Sequence, residues 1–310
     1  MSRVIALGFF DGVHLGHQAL LAIARKRADE LGVCACALTF DPHPEVLLTG
    51  KAKPLLNSME DRRWLITELC AMDDMLVLPF DRKLMELSPE DFVAGVLKDR
   101  LEAVHVVCGH DYTFGYQGLG NAESLRELCA TIGLGCDVID PVVAEGEKVS
   151  STRIRKLLQA GDVETANRLL GHRHFFTGIV THGNQLGRKL GFPTANLSLP
   201  EGVLELPYGV YATRMILPDG TQHKAVTNVG VRPTVDGQFV TVESCLMDFS
   251  GDLYDRQVRV EFCKFLRPEQ KFDSVEALAE AIRRDLSMLN DGTNERLPLS
   301  GELSAKLTEG

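Results

Sequence analysis

The chain changes texture once, near residue 172, and that change limits it to a two-part fold. Before it, apolar strand-like runs alternate with amphipathic helical runs. Residues 4–7 read as a strand, 18–31 as a helix stopped by Gly32, 33–40 as a buried strand and 58–71 as a second helix. A strand at 75–78, a helix begun by Ser88 and Pro89, a strand at 104–107, a helix at 121–132 and a strand at 136–139 continue the series. Such alternation specifies a parallel sheet wrapped by helices. Two short helices, 152–159 and 162–170, close at Gly171. From about 175 to 265 short strands are broken by Gly, Pro, Asn and Asp, the pattern of a small antiparallel barrel or sandwich. One amphipathic helix follows at 274–286, with Val275, Leu278, Ala279, Ile282 and Leu286 at helical spacing to pack on that barrel. The expectation is an α/β domain over 1–172, a β-barrel domain with a C-terminal helix over 173–290, and a loose polar tail over 291–310.

Composition narrows the classes of function. A formal net charge of -10 and a pI near 5.4 argue against a nucleic-acid or anionic-membrane surface, each of which needs a basic footprint. A nucleotide ligand remains compatible, because local cations, backbone amides and a metal suffice to hold one. No apolar run approaches the roughly 20 residues of a membrane span, and no basic n-region opens the chain. The eight cysteines form no CxxC and read as reduced core thiols, so a cytoplasmic setting is expected.

The informative stretch is Gly8-Phe9-Phe10-Asp11-Gly12-Val13-His14-Leu15-Gly16-His17, between the first strand and the first helix. Ligands of open α/β sheets bind there, where a helix N-terminus offers free N–H groups and a positive dipole end to phosphate. Gly12 and Gly16 permit tight turning, and His14 and His17, three apart, share a face in the first helical turn. Two imidazoles so placed can stabilise charge on phosphate oxygens as a transition state forms. Later, Ser150-Ser151-Thr152-Arg153-Ile154-Arg155 offers hydroxyls at a helix start beside two cations. In the second half, Gly187 and Gly191 make a flexible loop, and Thr194 and Asn196 are hard oxygen donors two apart, hence on one face of an extended chain. Oxygen donors of this kind suit Mg²⁺ when ATP supplies the other ligands. Glu243, an acid inside a largely apolar strand, is the candidate base.

These residues carry a resemblance. The HxGH stretch and the Ser151-Thr152-Arg153 element resemble the HxGH nucleotidyltransferase superfamily. Thr39-Phe40-Asp41-Pro42-His43-Pro44, Leu87 to Phe92 and Gly109 to Gly115 are similar to the FMN adenylyltransferase half of bacterial bifunctional riboflavin kinase/FAD synthetases. Gly187-Arg188-Lys189-Leu190-Gly191-Phe192-Pro193-Thr194-Ala195-Asn196 and the run from Val260 to Phe272 resemble the riboflavin kinase half of the same family. The resemblance implies a Rossmann-like domain that adenylylates FMN and a barrel that phosphorylates riboflavin, with Mg²⁺ as cofactor and ATP, riboflavin, FMN and FAD as partners. It places ATP against Gly8, Phe9, Phe10, His14, His17, Asp111, Ser151, Thr152 and Arg153 in one half, and Gly187, Lys189, Gly191, Thr194 and Asn196 in the other. Flavin contacts fall on Asp41, Phe192, Glu243 and Arg267, and the metal on Thr194 and Asn196. His14, His17 and Glu243 are the expected catalytic groups. A monomer or weak homo-oligomer is expected, with no nucleic acid and no membrane. Other readings stay open: an enzyme with one working half, a flavin-binding regulator without turnover, or a cytidylyltransferase in the first half.

Overall fold

A computed structural model describes residues 1–182, 192–234 and 237–290. By their contacts these residues form two units. One comprises Met1–Lys53 and Met59–Ser150, and the other comprises Pro54–Ser58 and the described residues from Ser151 to Asn290.

The first unit is built on five parallel strands: β1 (Arg3–Leu7), β2 (Cys34–Asp41), β3 (Asp74–Pro79), β4 (Ala103–Gly109) and β5 (Gly135–Ile139). Their order is β3-β2-β1-β4-β5, so the chain reverses its winding beside β1. In a doubly wound sheet that reversal opens a crevice at the C-terminal ends of the central strands. Ile5, Leu7, Leu38 and Val106 are fully or almost fully buried, each contributing roughly 1.5–3 kcal/mol of apolar burial. Helix α1 (Leu15–Leu31) lays Leu20, Leu21, Ala24 and Ala28 against the sheet at helical spacing. It ends at Gly32, whose φ of 66° lets its N–H turn back to the Ala28 and Asp29 carbonyls. The helix expected over 58–71 is α2 (Met59–Trp64), continued by wider turns in which the Cys70 N–H bonds back five residues to Leu65.

The second unit is an antiparallel six-stranded sheet: β6 (His174–Ile179), β7 (Thr194–Ser198), β8 (Gly209–Ile216), β9 (Gln222–Thr234), β10 (Gly237–Leu246) and β11 (Gln257–Pro268). The order is β6-β11-β8-β9-β10-β7, and a bridge between Thr181 and Asn196 links the two ends, curling the sheet into a barrel. The interior holds Phe176, Tyr211 and Phe262, with Tyr211 and Phe262 edge to face at 5.3 Å. Three fully buried hydroxyls satisfy one another there: Thr213 to Thr227 at 2.6 Å and Thr227 to Ser244 at 2.8 Å. Helices α3 (Ser151–Gln159) and α4 (Val163–Leu170) also belong to this unit. Asn167 secures α4, donating to the Phe262 carbonyl at 2.9 Å and accepting from the His174 N–H at 2.7 Å. The amphipathic C-terminal helix, α5 (Val275–Ser287), starts at Ser274, whose hydroxyl accepts from the Ala277 N–H.

His174 is 3% exposed, and burial, with His172 adding to it, drops its pKa from 6.5 to about 3. Above pH 6.5 the ring is neutral in folded and unfolded chains alike. As pH falls below 6.5 the unfolded chain takes up a proton that the folded chain refuses, so stability is lost toward pH 3 by about 1.4 kcal/mol per pH unit. Urea unfolding of this unit at pH 7 and at pH 5 should differ by about 2 kcal/mol for this reason, and His174→Asn should remove most of the difference.

Candidate functional site

The loop from β1 to α1 lies at the sheet's crevice, and its backbone is strained. Phe10 has φ 58°, Gly12 φ 81° and Val13 φ 40°. Positive φ is unusual for a bulky or β-branched residue and costs on the order of 1–3 kcal/mol, so surrounding contacts must hold it. Phe10 and Val13 are fully buried, and the Gln18 carboxamide donates to the Val13 carbonyl at 2.8 Å. Gly8 admits the turn because a Cβ there would lie 3.0 Å from the Phe10 ring.

This turn delivers the two histidines together. His14 is the N-cap of α1, and its Nδ1 accepts from the His17 N–H at 3.3 Å. A nitrogen that accepts carries no proton, so neutral His14 bears its proton on Nε2. The two rings stack with centroids 3.7 Å apart and planes 14° from parallel, and Phe10 meets His17 edge-on at 5.4 Å. Burial, then the neighbouring His14, then Arg62 push the His17 pKa well below its ordinary value, so the ring is neutral at pH 7. Its Nδ1 is buried without a hydrogen-bond partner among the described residues.

Arg62 on α2 lies under this turn, and sequence reading missed it. Its side chain is 0% exposed, its Nη1 donates to the Phe9 carbonyl at 3.1 Å, and its guanidinium carbon sits 4.2 Å from the Phe9 ring centroid. Nη2 is 3.9 Å from the Asp11 carboxylate. Burial depresses the Arg62 pKa while Asp11 and Asp41 pull it the other way. Asp41 itself is exposed at the end of β2.

Asp111 follows β4. Burial raises its carboxyl, but the Lys148 ammonium at 2.5 Å overrides that and holds it below the usual carboxylate range. Ser151, Thr152 and Arg153 form the first turn of α3 in the second unit.

In the barrel, strand register does the assembling. Asn196 on β7 stands directly opposite Glu243 on β10, and Glu243 stands directly opposite Asn228 on β9. Directly opposed residues project from the same face of a sheet, so these three polar side chains form one row. Val242 and Ser244, on the opposite face, are buried in the interior. Asn228 donates to Glu269 at 3.1 Å. Thr194 and Asn196 line a cleft of about 400 Å³ completed by Phe249, Asp252 and Tyr254. The Asn196 carboxamide nitrogen donates to the Thr194 carbonyl at 3.3 Å, and the residue is buried. Phe192 lies 5.6 Å beneath the Arg283 guanidinium of α5. The expected phosphate-loop residues Gly187, Lys189 and Gly191 lie outside the described residues.

Arg267 continues the row by register, opposite Val210 on β8, itself opposite Asn228. Its guanidinium is engaged by Asp285 of α5, with Nη2 to Oδ2 at 2.8 Å and Nε to Oδ1 at 3.1 Å. Asp285 is 3% exposed, so Asp285→Ala would strand the cation and cost about 2–3 kcal/mol, less than for a fully buried pair because Arg267 keeps some solvent access. Chemical denaturation should show that loss, and a smaller one in the chain carrying both Arg267→Met and Asp285→Ala.

Residues 1–153 match a family model described as FAD synthetase, and residues 170–291 match one described as riboflavin kinase. The bifunctional riboflavin kinase/FMN adenylyltransferase of Pseudomonas fluorescens is 40% identical over 285 residues, covering 92% of this chain and 91% of that protein. Its namesake in Listeria monocytogenes is 38% identical over 288 residues, covering 92% and 90%. A solved Streptococcus pneumoniae structure described as a macrolide-efflux protein is 31% identical with a TM-score of 0.84, covering 94% of both chains. Among the described residues of this chain no helix is long and apolar enough to cross a membrane.

Proposed function

The chain belongs to the family of bifunctional riboflavin kinase/FMN adenylyltransferases, and from that premise we propose which of its residues carry each reaction. The riboflavin kinase half moves the γ-phosphoryl group of ATP to riboflavin, giving FMN and ADP. The FAD synthetase half joins FMN to the adenylyl group of a second ATP, giving FAD and pyrophosphate. We assign residues 173–290 to the first reaction and 1–172 to the second.

The observation that carries the assignment is the register pair Asn196 and Glu243 beside the cleft. Glu243 accepts the proton of the terminal ribityl hydroxyl as that oxygen bonds to the γ-phosphorus and the bond to the departing ADP breaks. The oxygens of Thr194 and Asn196 suit Mg²⁺, which takes few protein ligands when phosphates supply the rest. Bound there, the ion would neutralise charge on the phosphate oxygens. Gly187, Lys189 and Gly191 are assigned to the phosphates on the family pattern, and Phe192 and Arg267 to the flavin.

For adenylylation, an FMN phosphate oxygen attacks the α-phosphorus and pyrophosphate leaves. His14, with its proton on Nε2, and neutral His17 donate hydrogen bonds to the α-phosphate oxygens as charge builds there. Gly8, Phe9 and Phe10 bring backbone to the nucleotide, and Asp111 and Asp41 contact nucleotide and flavin respectively. Ser151, Thr152 and Arg153 are assigned to phosphate on the family pattern. No covalent enzyme intermediate is required, since positioning and charge stabilisation account for both steps. The cytoplasm, where ATP is supplied and thiols stay reduced, fits eight cysteines that are all free.

Two variants separate the halves. Glu243→Gln should slow FMN formation from riboflavin by about 10²–10⁴-fold and leave FAD formation from supplied FMN unchanged. His14→Ala should do the reverse, lowering FAD formation by about 10²–10³-fold with FMN formation intact. Chromatographic separation of the flavins reads both. Loss of both products in either variant would contradict the assignment.

A further inference from the structure

The structure assigns Arg62 as a positioning residue for adenylyl transfer: its buried guanidinium fixes the Phe9–Asp11 turn from below and so sets the backbone that faces the nucleotide. The inference deepens the reading of the first half and rests on it. Four observations carry it. Arg62 has no solvent exposure at all, which is rare for a guanidinium and costly unless partners compensate. It meets the turn three ways at once, through the Phe9 carbonyl at 3.1 Å, the Phe9 ring at 4.2 Å and the Asp11 carboxylate at 3.9 Å. Its Nε and Nη2 are buried with no hydrogen-bond partner among the described residues, so the group is not there to satisfy its own hydrogen bonds. The Phe9 carbonyl accepts a second hydrogen bond, from the Thr39 hydroxyl at 2.9 Å, so one peptide oxygen is held by two donors from two different elements.

That doubly held oxygen is the working part. A trans peptide is planar, with its C=O and the following N–H pointing in opposite directions. Drawing the Phe9 carbonyl down onto Arg62 and Thr39 turns the Phe10 N–H away from them, and among the described residues that N–H makes no backbone hydrogen bond. The same clamp stabilises Phe10 at φ 58°, which places its ring edge-on against His17. Arg62 therefore acts through the backbone and through His17, without itself touching the reacting atoms. Lysine would preserve the charge but cannot hold the carbonyl, the ring and the carboxylate with one planar group.

The test is steady-state kinetics of FAD formation from FMN and ATP with the full chain and three variants: Arg62→Met, Arg62→Lys and Thr39→Val. A misplacement of about 1 Å at a site that works by positioning costs on the order of 10²-fold. Arg62→Met should lower kcat by about that factor while KM for FMN and ATP stays within about threefold. Arg62→Lys should recover part of the loss, and Thr39→Val should lower kcat by several-fold. Phosphorylation of riboflavin by the same preparations should be unchanged. A purely structural role would lower the unfolding midpoint and leave kcat where it was. Where Arg62→Met does not fold, Arg62→Lys and Thr39→Val decide, and parental kcat in both overturns the inference. A parent chain that makes no FAD removes the reading and this role together, whereas a parent that makes FAD beside a folded Arg62→Met chain of equal kcat removes this role alone.

Discussion

Between β1 and α1 the chain reverses direction through conformations that most side chains avoid. In this chain the reversal is held by a cation placed where water cannot reach it. Arg62 grips the Phe9 carbonyl and ring from beneath, Phe10 and Val13 then sit at positive φ, and His14 arrives at the start of α1 as its cap. The stacked histidines follow from that cap, because the His17 N–H closes onto His14 Nδ1. Strain, burial and electrostatics at this junction are one arrangement. The guanidinium that holds the turn is also among the groups that keep His17 unprotonated, so the ring can donate a hydrogen bond to phosphate without the cost of a buried charge.

The second unit reaches its site by another route. The polar row comes from strand register, because an antiparallel ladder places residues far apart in sequence side by side. Asn196, Glu243 and Asn228 come from three strands and share one face by register alone. A one-residue slip of any one of these strands would send its member of the row to the opposite face. The ladder is fixed by what lies behind it: the buried hydroxyls of Thr213, Thr227 and Ser244 bond to one another and to backbone in the register that aligns them. The Arg267–Asp285 pair ties α5 to the barrel strand β11. Precision of the polar row therefore depends on packing that carries no chemistry of its own.

How much of this can be read from the amino-acid order follows the range of the interactions. Period-two and period-3.6 patterns are local, so the parallel first half, the antiparallel second half and the C-terminal helix are legible. The HxGH stretch is legible for the same reason, since its histidines meet within one turn. Arg62 is not. A cation at 62 in an amphipathic helix reads as solvent-facing, and the groups that compensate its burial, the carbonyl and ring of Phe9 and the carboxylate of Asp11, lie about fifty residues away in sequence. The partner of Glu243 is equally hidden: Thr-x-Asn and an isolated strand acid are each unremarkable until the register puts Asn196 opposite Glu243. The helical pattern at 58–71 gives no sign of the wider turns at Leu65–Leu69, because apolar spacing tolerates either hydrogen-bonding pattern over so short a stretch. Nor does the sequence pattern say that the helices after Ser151 share contacts with the barrel, since their own periodicity fits either unit.

The central claim is that one chain performs two chemically distinct transfers from ATP, one at the γ-phosphorus and one at the α-phosphorus. The most direct measurement supplies riboflavin and ATP labelled at one phosphorus or the other, and follows the label into separated flavins. The account predicts that γ-label enters FMN first and is carried into FAD, while α-label enters FAD alone. Label from the α-position that never reaches a flavin, or FMN that forms without γ-label, would contradict it.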